Sequence, residues 1–194
     1  MNKYIVEAIG TFALTLAVGL SLAGEFPVST AVLAAVTLGL FVYSIGNISG
    51  THINPAVTIG AWSIKKISTE DGIGYIIGQF FGAAAALTLL AQVVKMPTMS
   101  MSNDIMVGVA ELVGAFFFTF GIAAVMYGEV SNKLSGIVVG GSLLLGIALA
   151  ALMGSNGLIN PAVALGVGSF NLMYIIGPIL GAVAGMQAYK YVRG

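Results

Sequence analysis

The chain has 194 residues, 7% of them charged and 58% apolar, with seven Lys/Arg balancing seven Asp/Glu. A soluble domain carries about a quarter charged residues, so a wholly water-facing surface is excluded, and the balanced charge leaves no basic face for nucleic acid and no acid excess for cations. With no cysteine and one histidine, His52, the chain cannot form disulfides, thiolate metal sites, a cysteine nucleophile or a zinc centre, and no cofactor is expected.

A transmembrane helix needs about 20 mostly apolar residues. The first such stretch, near 3–23, follows Lys3 like the apolar core of a signal peptide, but it contains Glu7 and lacks a convincing cleavage site, so it is expected to remain as a span. After the break Gly24-Glu25-Phe26-Pro27 comes a second span near 29–48. The next apolar stretch, about 54–63, is too short to cross and begins Asn54-Pro55-Ala56. Polar breaks from Lys65 to Asp71, Lys95 to Asp104 and Gly128 to Lys133 then delimit spans near 73–94, 105–127 and 134–153. A second short stretch, about 160–169, opens Asn160-Pro161-Ala162, and a last span near 172–191 ends the chain. Both short stretches read as re-entrant half-helices. These are tolerated at membrane depth only where protein surrounds them or a cavity solvates them, so they imply a pore or a binding cavity.

With the N-terminus inside, Lys3, Lys65, Lys66, Lys133, Lys190 and Arg193 fall on the cytoplasmic side and only Lys95 outside, which predicts cytoplasmic termini. An internal repeat fixes the expected architecture. Val6-Glu7-Ala8-Ile9-Gly10-Thr11-Phe12 returns as Ala110-Glu111-Leu112-Val113-Gly114-Ala115-Phe116, and Ile53-Asn54-Pro55-Ala56-Val57 returns as Ile159-Asn160-Pro161-Ala162-Val163. Three spans per half turn the second copy upside down in the bilayer. The expectation is an all-α membrane protein: one channel domain over 1–194, built from inverted repeats of about 1–95 and 105–194, with its functional site near the midplane.

Asn54 and Asn160 stand at N-cap positions, with Pro55 and Pro161 at the first helical position, where a missing N–H costs nothing. If the repeat brings both helix starts to the pore centre, two positive helix ends and two side-chain amides face the lumen, favouring a neutral oxygen-bearing solute over a cation. Backbone carbonyls of Gly50, Thr51, His52 and Ile53, and of Asn156, Gly157, Leu158 and Ile159, would supply a ladder of acceptors leading to that centre. One Asn-Pro-Ala is usually a capped helix and nothing more; two copies, each preceded by a set of spans, form a specific signal.

Ser49-Gly50-Thr51-His52-Ile53-Asn54-Pro55-Ala56-Val57-Thr58 is similar to the first signature of the aquaporin and glycerol-facilitator family, and with Glu-x-x-Gly-x-Phe in the first and fourth spans the resemblance covers essentially the whole chain. It implies a homotetramer in the cytoplasmic membrane with one pore per subunit. The family usually has Arg directly after its second Asn-Pro-Ala, where this chain has Val163. The remaining positions of the family's aromatic/arginine constriction fall on Ala34, Ala148 and Gly157, all small or apolar. The resemblance therefore implies a wider, less polar filter that passes glycerol or another small polyol or amide besides water, and it leaves open whether protons are excluded without the filter cation. A water-selective channel is the alternative, and an inverted-repeat transporter, which would want carboxylates beside the broken helices, is another.

The remaining candidates have quieter readings. Glu7 and Glu111 lie in apolar spans, where a carboxylate is a functional candidate by default, yet their repeat-related positions favour structural support of the non-helical backbone over proton relay. His52 reads as a hydrogen-bonded strut rather than a pH gate. Trp62 reads as an interfacial anchor, and Tyr43 as either an anchor or a lumen group. Gly74, Gly78 and Gly82, and Gly177, Gly181 and Gly185, mark close helix contacts. Phe116-Phe117-Phe118 is packing or lipid-facing bulk, and Met96, Met99 and Met101 form an apolar loop rather than a soft-metal site. No acid, base or nucleophile pair suggests an enzyme.

Overall fold

The computed structural model describes residues 1–24, 27–95 and 103–194, so the methionine loop lies outside the described residues. Among the described residues eight helices follow in order: α1 Asn2–Ala23, α2 Thr30–Ser49, α3 Pro55–Ser63, α4 Thr69–Val93, α5 Ile105–Met126, α6 Ser135–Leu152, α7 Pro161–Gly166 and α8 Met173–Arg193. Among the described residues, α1, α2, α4, α5 and α6 are long and apolar enough to cross a membrane. The sixth long helix, α8, has 21 residues, contains Pro178 and carries Lys190 and Arg193 in its last turn.

Local chemistry decides where the helices begin. Ser29, Ser68 and Asp104 cap α2, α4 and α5 through their side-chain oxygens. The Ser68 cap starts α4 at Thr69, four residues before the expected start, because Glu70 and Asp71 belong to its first turn, where acidic side chains favour the helix dipole. At its other end, the second half-helix is shorter than its apolar run: α7 stops at Gly166, and Gly168 turns the chain away at φ +77°.

Packing proceeds in two halves that interlock. In the first, α1 packs on α2 and α4; in the second, α5 packs on α6 and α8; α2 against α6 joins them. Each half-helix is held mainly by the opposite half, α3 lying on α8 and α7 on α4 and α1. The glycine runs make these contacts possible. A Cβ on Gly78 would stand 2.7 Å from the carbonyl oxygen of Tyr4, and one on Gly177 would stand 2.5 Å from that of Gly108, so α4 and α8 ride directly on the backbones of α1 and α5. Of the phenylalanine triplet, Phe118 is buried and Phe117 is exposed, while Phe116 stacks toward Phe120.

Candidate functional site

The two half-helices meet start to start. Each cap asparagine uses its two side-chain ends for different tasks. Oδ1 of Asn54 accepts from the Ala56 N–H at 2.8 Å, and Oδ1 of Asn160 accepts from Ala162 N–H at 3.0 Å and Val163 N–H at 3.3 Å. The amide nitrogens cross to the other half: Asn54 Nδ2 donates to the Ile159 carbonyl at 2.9 Å, and Asn160 Nδ2 donates to the Ile53 carbonyl at 3.0 Å. The bonds are reciprocal, as a two-fold relation between the halves requires. Each amide retains a second N–H, the group a passing oxygen can accept from.

The segments ahead of the caps are strained in matching places. Thr51 (φ +55°), Ile53 (φ +37°) and Ile159 (φ +39°) hold left-handed backbone, which β-branched residues rarely adopt. Such strain costs of the order of 1–3 kcal/mol per residue and persists only where the surroundings over-determine it. The buried carboxylates supply that determination. Glu7 accepts from Ser49 Oγ at 2.6 Å, His52 N–H at 2.9 Å, Ile53 N–H at 2.6 Å and Gln79 Nε2 at 2.8 Å, which fills all four of its acceptor positions. Glu111 accepts from Ser155 Oγ, Leu158 N–H at 3.0 Å and Ile159 N–H at 2.6 Å. Because the N–H and C=O of one trans peptide point opposite ways, holding the Ile53 and Ile159 N–H groups on the carboxylates turns the His52 and Leu158 carbonyls away from them, while the carbonyls of the next peptides, those of Ile53 and Ile159, accept from the asparagines.

His52 is 6% exposed; its Nδ1 lies 3.1 Å from Thr58 Oγ1 and its ring meets Tyr75 edge-on at 5.2 Å. The single Thr58 hydroxyl proton goes to the Asn54 carbonyl, so Nδ1 of His52 is the donor of its pair. Gln79 Nε2 also donates to Thr58 Oγ1, and Tyr75 donates to the Ser49 carbonyl at 2.7 Å. In the second half the backbone N–H of Asn156 donates to Tyr174 Oη at 3.3 Å. Gln79, Tyr75, Tyr174 and Ser155 were not singled out from the sequence, and Ser49 entered only as the first residue of the quoted signature, with no role of its own. Gln79 was detectable as a polar residue in an apolar span; the tyrosines and serines had no signal beyond proximity in the fold.

Two cavities approach the asparagine pair from opposite ends of α2, whose 20 residues span about 30 Å. One, about 90 Å³, involves Ala34, Gly157, Val163 and Asn160 together with Leu143 and Ile147. Gly157 is required there twice over, by its φ of +65° and because a Cβ would lie 2.8 Å from the Ile147 carbonyl. The expected fourth member, Ala148, is not on this wall. Leu143 and Ile147 are one helical turn apart on α6 and share the cavity face, and a single residue step turns the side chain about 100° around the axis, away from it. The other cavity, about 460 Å³, is lined by Gly50, Ser49 and His52 and by Tyr43, Asn47, Lys66, Asn132 and Ser135. Tyr43 is at once a wall of this cavity and a tie, donating to the Lys133 carbonyl at 2.9 Å. Trp62 is 46% exposed at the end of α3.

The sequence profile described as major intrinsic protein matches residues 1–189. The chain is 33% identical over 180 residues to Aquaporin AqpM of Methanothermobacter marburgensis, with 78% of this chain and 71% of that protein covered. It is 29% identical over 219 residues to Aquaporin NIP1-1 of Arabidopsis thaliana, covering all of this chain and 74% of that one. Its fold is similar to the X-ray structure of the aquaglyceroporin from Plasmodium falciparum, with a TM-score of 0.65 at 18% identity, covering 97% of this chain and 93% of that one.

Proposed function

Since the chain belongs to the major intrinsic protein family and is a multi-pass membrane channel of the aquaporin kind for water and small solutes, not an enzyme, we propose that its pore is a wide one, passing glycerol and comparable small polyols or amides as well as water. The observation that carries this reading is the wall of the 90 Å³ cavity. Where a water-only filter would be narrow and polar, Ala34, Ile147, Gly157 and Val163 offer small or apolar surface, in a space several times what one water needs. Asn156 and Asn160 add polar groups to the same wall. A solute with a hydrocarbon side and a row of hydroxyls matches a wall of that kind, because its apolar atoms leave water while its oxygens find replacement hydrogen bonds.

Asn54 and Asn160 form the centre of this pore, and the carbonyls of Gly50, Thr51, His52 and Ile53, and of Asn156, Gly157, Leu158 and Ile159, form its acceptor track. Glu7 and Glu111 are structural, holding the strained backbone that aims the track, with Pro55 and Pro161 starting the half-helices. His52 is a strut. The basic residues at the end of the bundle that holds Lys66 orient it, giving cytoplasmic termini and making the Val163 cavity the outer mouth. Homotetrameric assembly in the cytoplasmic membrane rests on family resemblance. The test is Val163→Arg: a guanidinium there fills the cavity and suppresses glycerol flux in proteoliposomes while water flux persists, whereas equal glycerol flux in the variant contradicts this constriction.

A further inference from the structure

We propose that Lys66, at the mouth opposite Val163, is the fixed charge that sets this pore's preference for neutral and anionic species over cations. The inference rests on the pore reading above. Of the described residues lining the two cavities, Lys66 is the only one with a formal charge. The filter position after the second Asn-Pro-Ala is Val163, and α7 behind it has six residues, fewer than two turns of aligned peptide dipoles. Whatever electrostatic barrier a cation meets from a side chain must come from elsewhere on the path.

Lys66 is built to supply it. Its ammonium donates to the Met126 carbonyl at 3.0 Å and sits 4.1 Å from the centre of the Tyr127 ring. Both partners fix the charge in place, and neither cancels it, since a carbonyl and an aromatic face carry no formal negative charge. Lys65 and Lys133 flank residues of the same wall without lining the cavity, and two other basic groups are paired. Arg193 lies 4.7 Å from the same ring but is paired with Glu129 at 2.8 Å, and Lys3 is paired with Asp71 at 2.6 Å. Among the described residues Lys66 makes no ion pair, and no carboxylate lines its cavity. The rest of that polar wall, Asn47, Ser49, Asn132, Ser135 and His52, contains neutral hydrogen-bonding groups together with the histidine. The cavity beside Ser49, Gly50 and His52 therefore carries a positive charge with no ion pair among the described residues, which raises the local concentration of anions and lowers that of cations.

The test is a charge series at one position, Lys66→Arg, Lys66→Gln and Lys66→Glu, read in proteoliposomes as the ratio of cation leak (protons by an entrapped dye, sodium by tracer) to glycerol flux. At about 0.01 M salt, where the Debye length is about 30 Å, the ratio is expected to rise about threefold or more from Lys to Gln and further to Glu, with Arg matching Lys. At about 1 M salt the Debye length is about 3 Å and the differences should vanish. A ratio that ignores the charge series, or that changes equally at both salt concentrations, overturns the assignment and makes Lys66 a latch on Tyr127 only. Absence of glycerol flux in the unaltered protein would instead sink the pore reading, independently of Lys66.

Discussion

At the scale of single residues, the site is governed by where buried donors find acceptors. Glu7 and Glu111 are both fully buried, and each holds two consecutive backbone N–H groups in a strained loop. Replacing either by Gln keeps the shape but turns one acceptor into a donor that faces other donors. A buried donor left without a partner costs about 1–3 kcal/mol. Thermal unfolding in detergent should therefore show both variants destabilised, Glu7→Gln more than Glu111→Gln because Glu7 also serves Gln79; the glycerol-to-water flux ratio of whatever folds should stay put. A stable Glu7→Gln protein with altered proton flux would instead favour the relay. These two glutamates and the two asparagines were legible in the sequence because their signals are local: a charge inside an apolar span, and a cap followed by proline. Ala148 was misplaced for the opposite reason. Counting back from Asn160 carries the family's constriction across a loop, but only the helical phase of α6 decides which side chain faces the cavity, and that phase selects Ile147.

At the scale of elements, close backbone contact sets what can be changed. The same substitution should have opposite outcomes at two glycines. Gly78→Ala puts a methyl 2.7 Å from the Tyr4 carbonyl and must push α1 from α4, so little monodisperse protein is expected on size-exclusion chromatography. Gly141→Ala on α6 meets nothing within 4 Å and should gain up to about 1 kcal/mol of helix propensity, visible as a higher unfolding temperature. Equal behaviour of the two would mean that the α1–α4 contact is looser than its geometry. The helices themselves were readable as apolar runs of membrane length, and the glycine spacing announced which would pack closely. Their ends were less readable. Hydropathy treats Glu70 and Asp71 as part of a break, whereas capping chemistry makes them the first turn of α4. For α7, an apolar run continues past Gly166 although the backbone does not.

At the scale of the whole molecule, the two halves close on one another through the asparagines, each of which bonds to a carbonyl supplied by the other half. That crossing was foreshadowed by the repeat, which related the two Asn-Pro-Ala boxes, but reciprocity of the bonds is a property of the assembled fold. Asn160→Ala removes both a cap and a crossing bond, and the cap alone is worth roughly 1 kcal/mol; its unfolding temperature should fall, and solute flux should fall with it because the Ile53 carbonyl loses its partner. The wide pore is tested most directly by stopped-flow light scattering on proteoliposomes of the unaltered protein, with water and glycerol permeabilities taken on the same vesicles and compared with protein-free controls. Rapid glycerol entry alongside water flux is the predicted result. Water flux with glycerol entry no faster than in empty vesicles would contradict it, since the pore would then reject the larger solute despite a cavity walled by the small or apolar Ala34, Ile147, Gly157 and Val163.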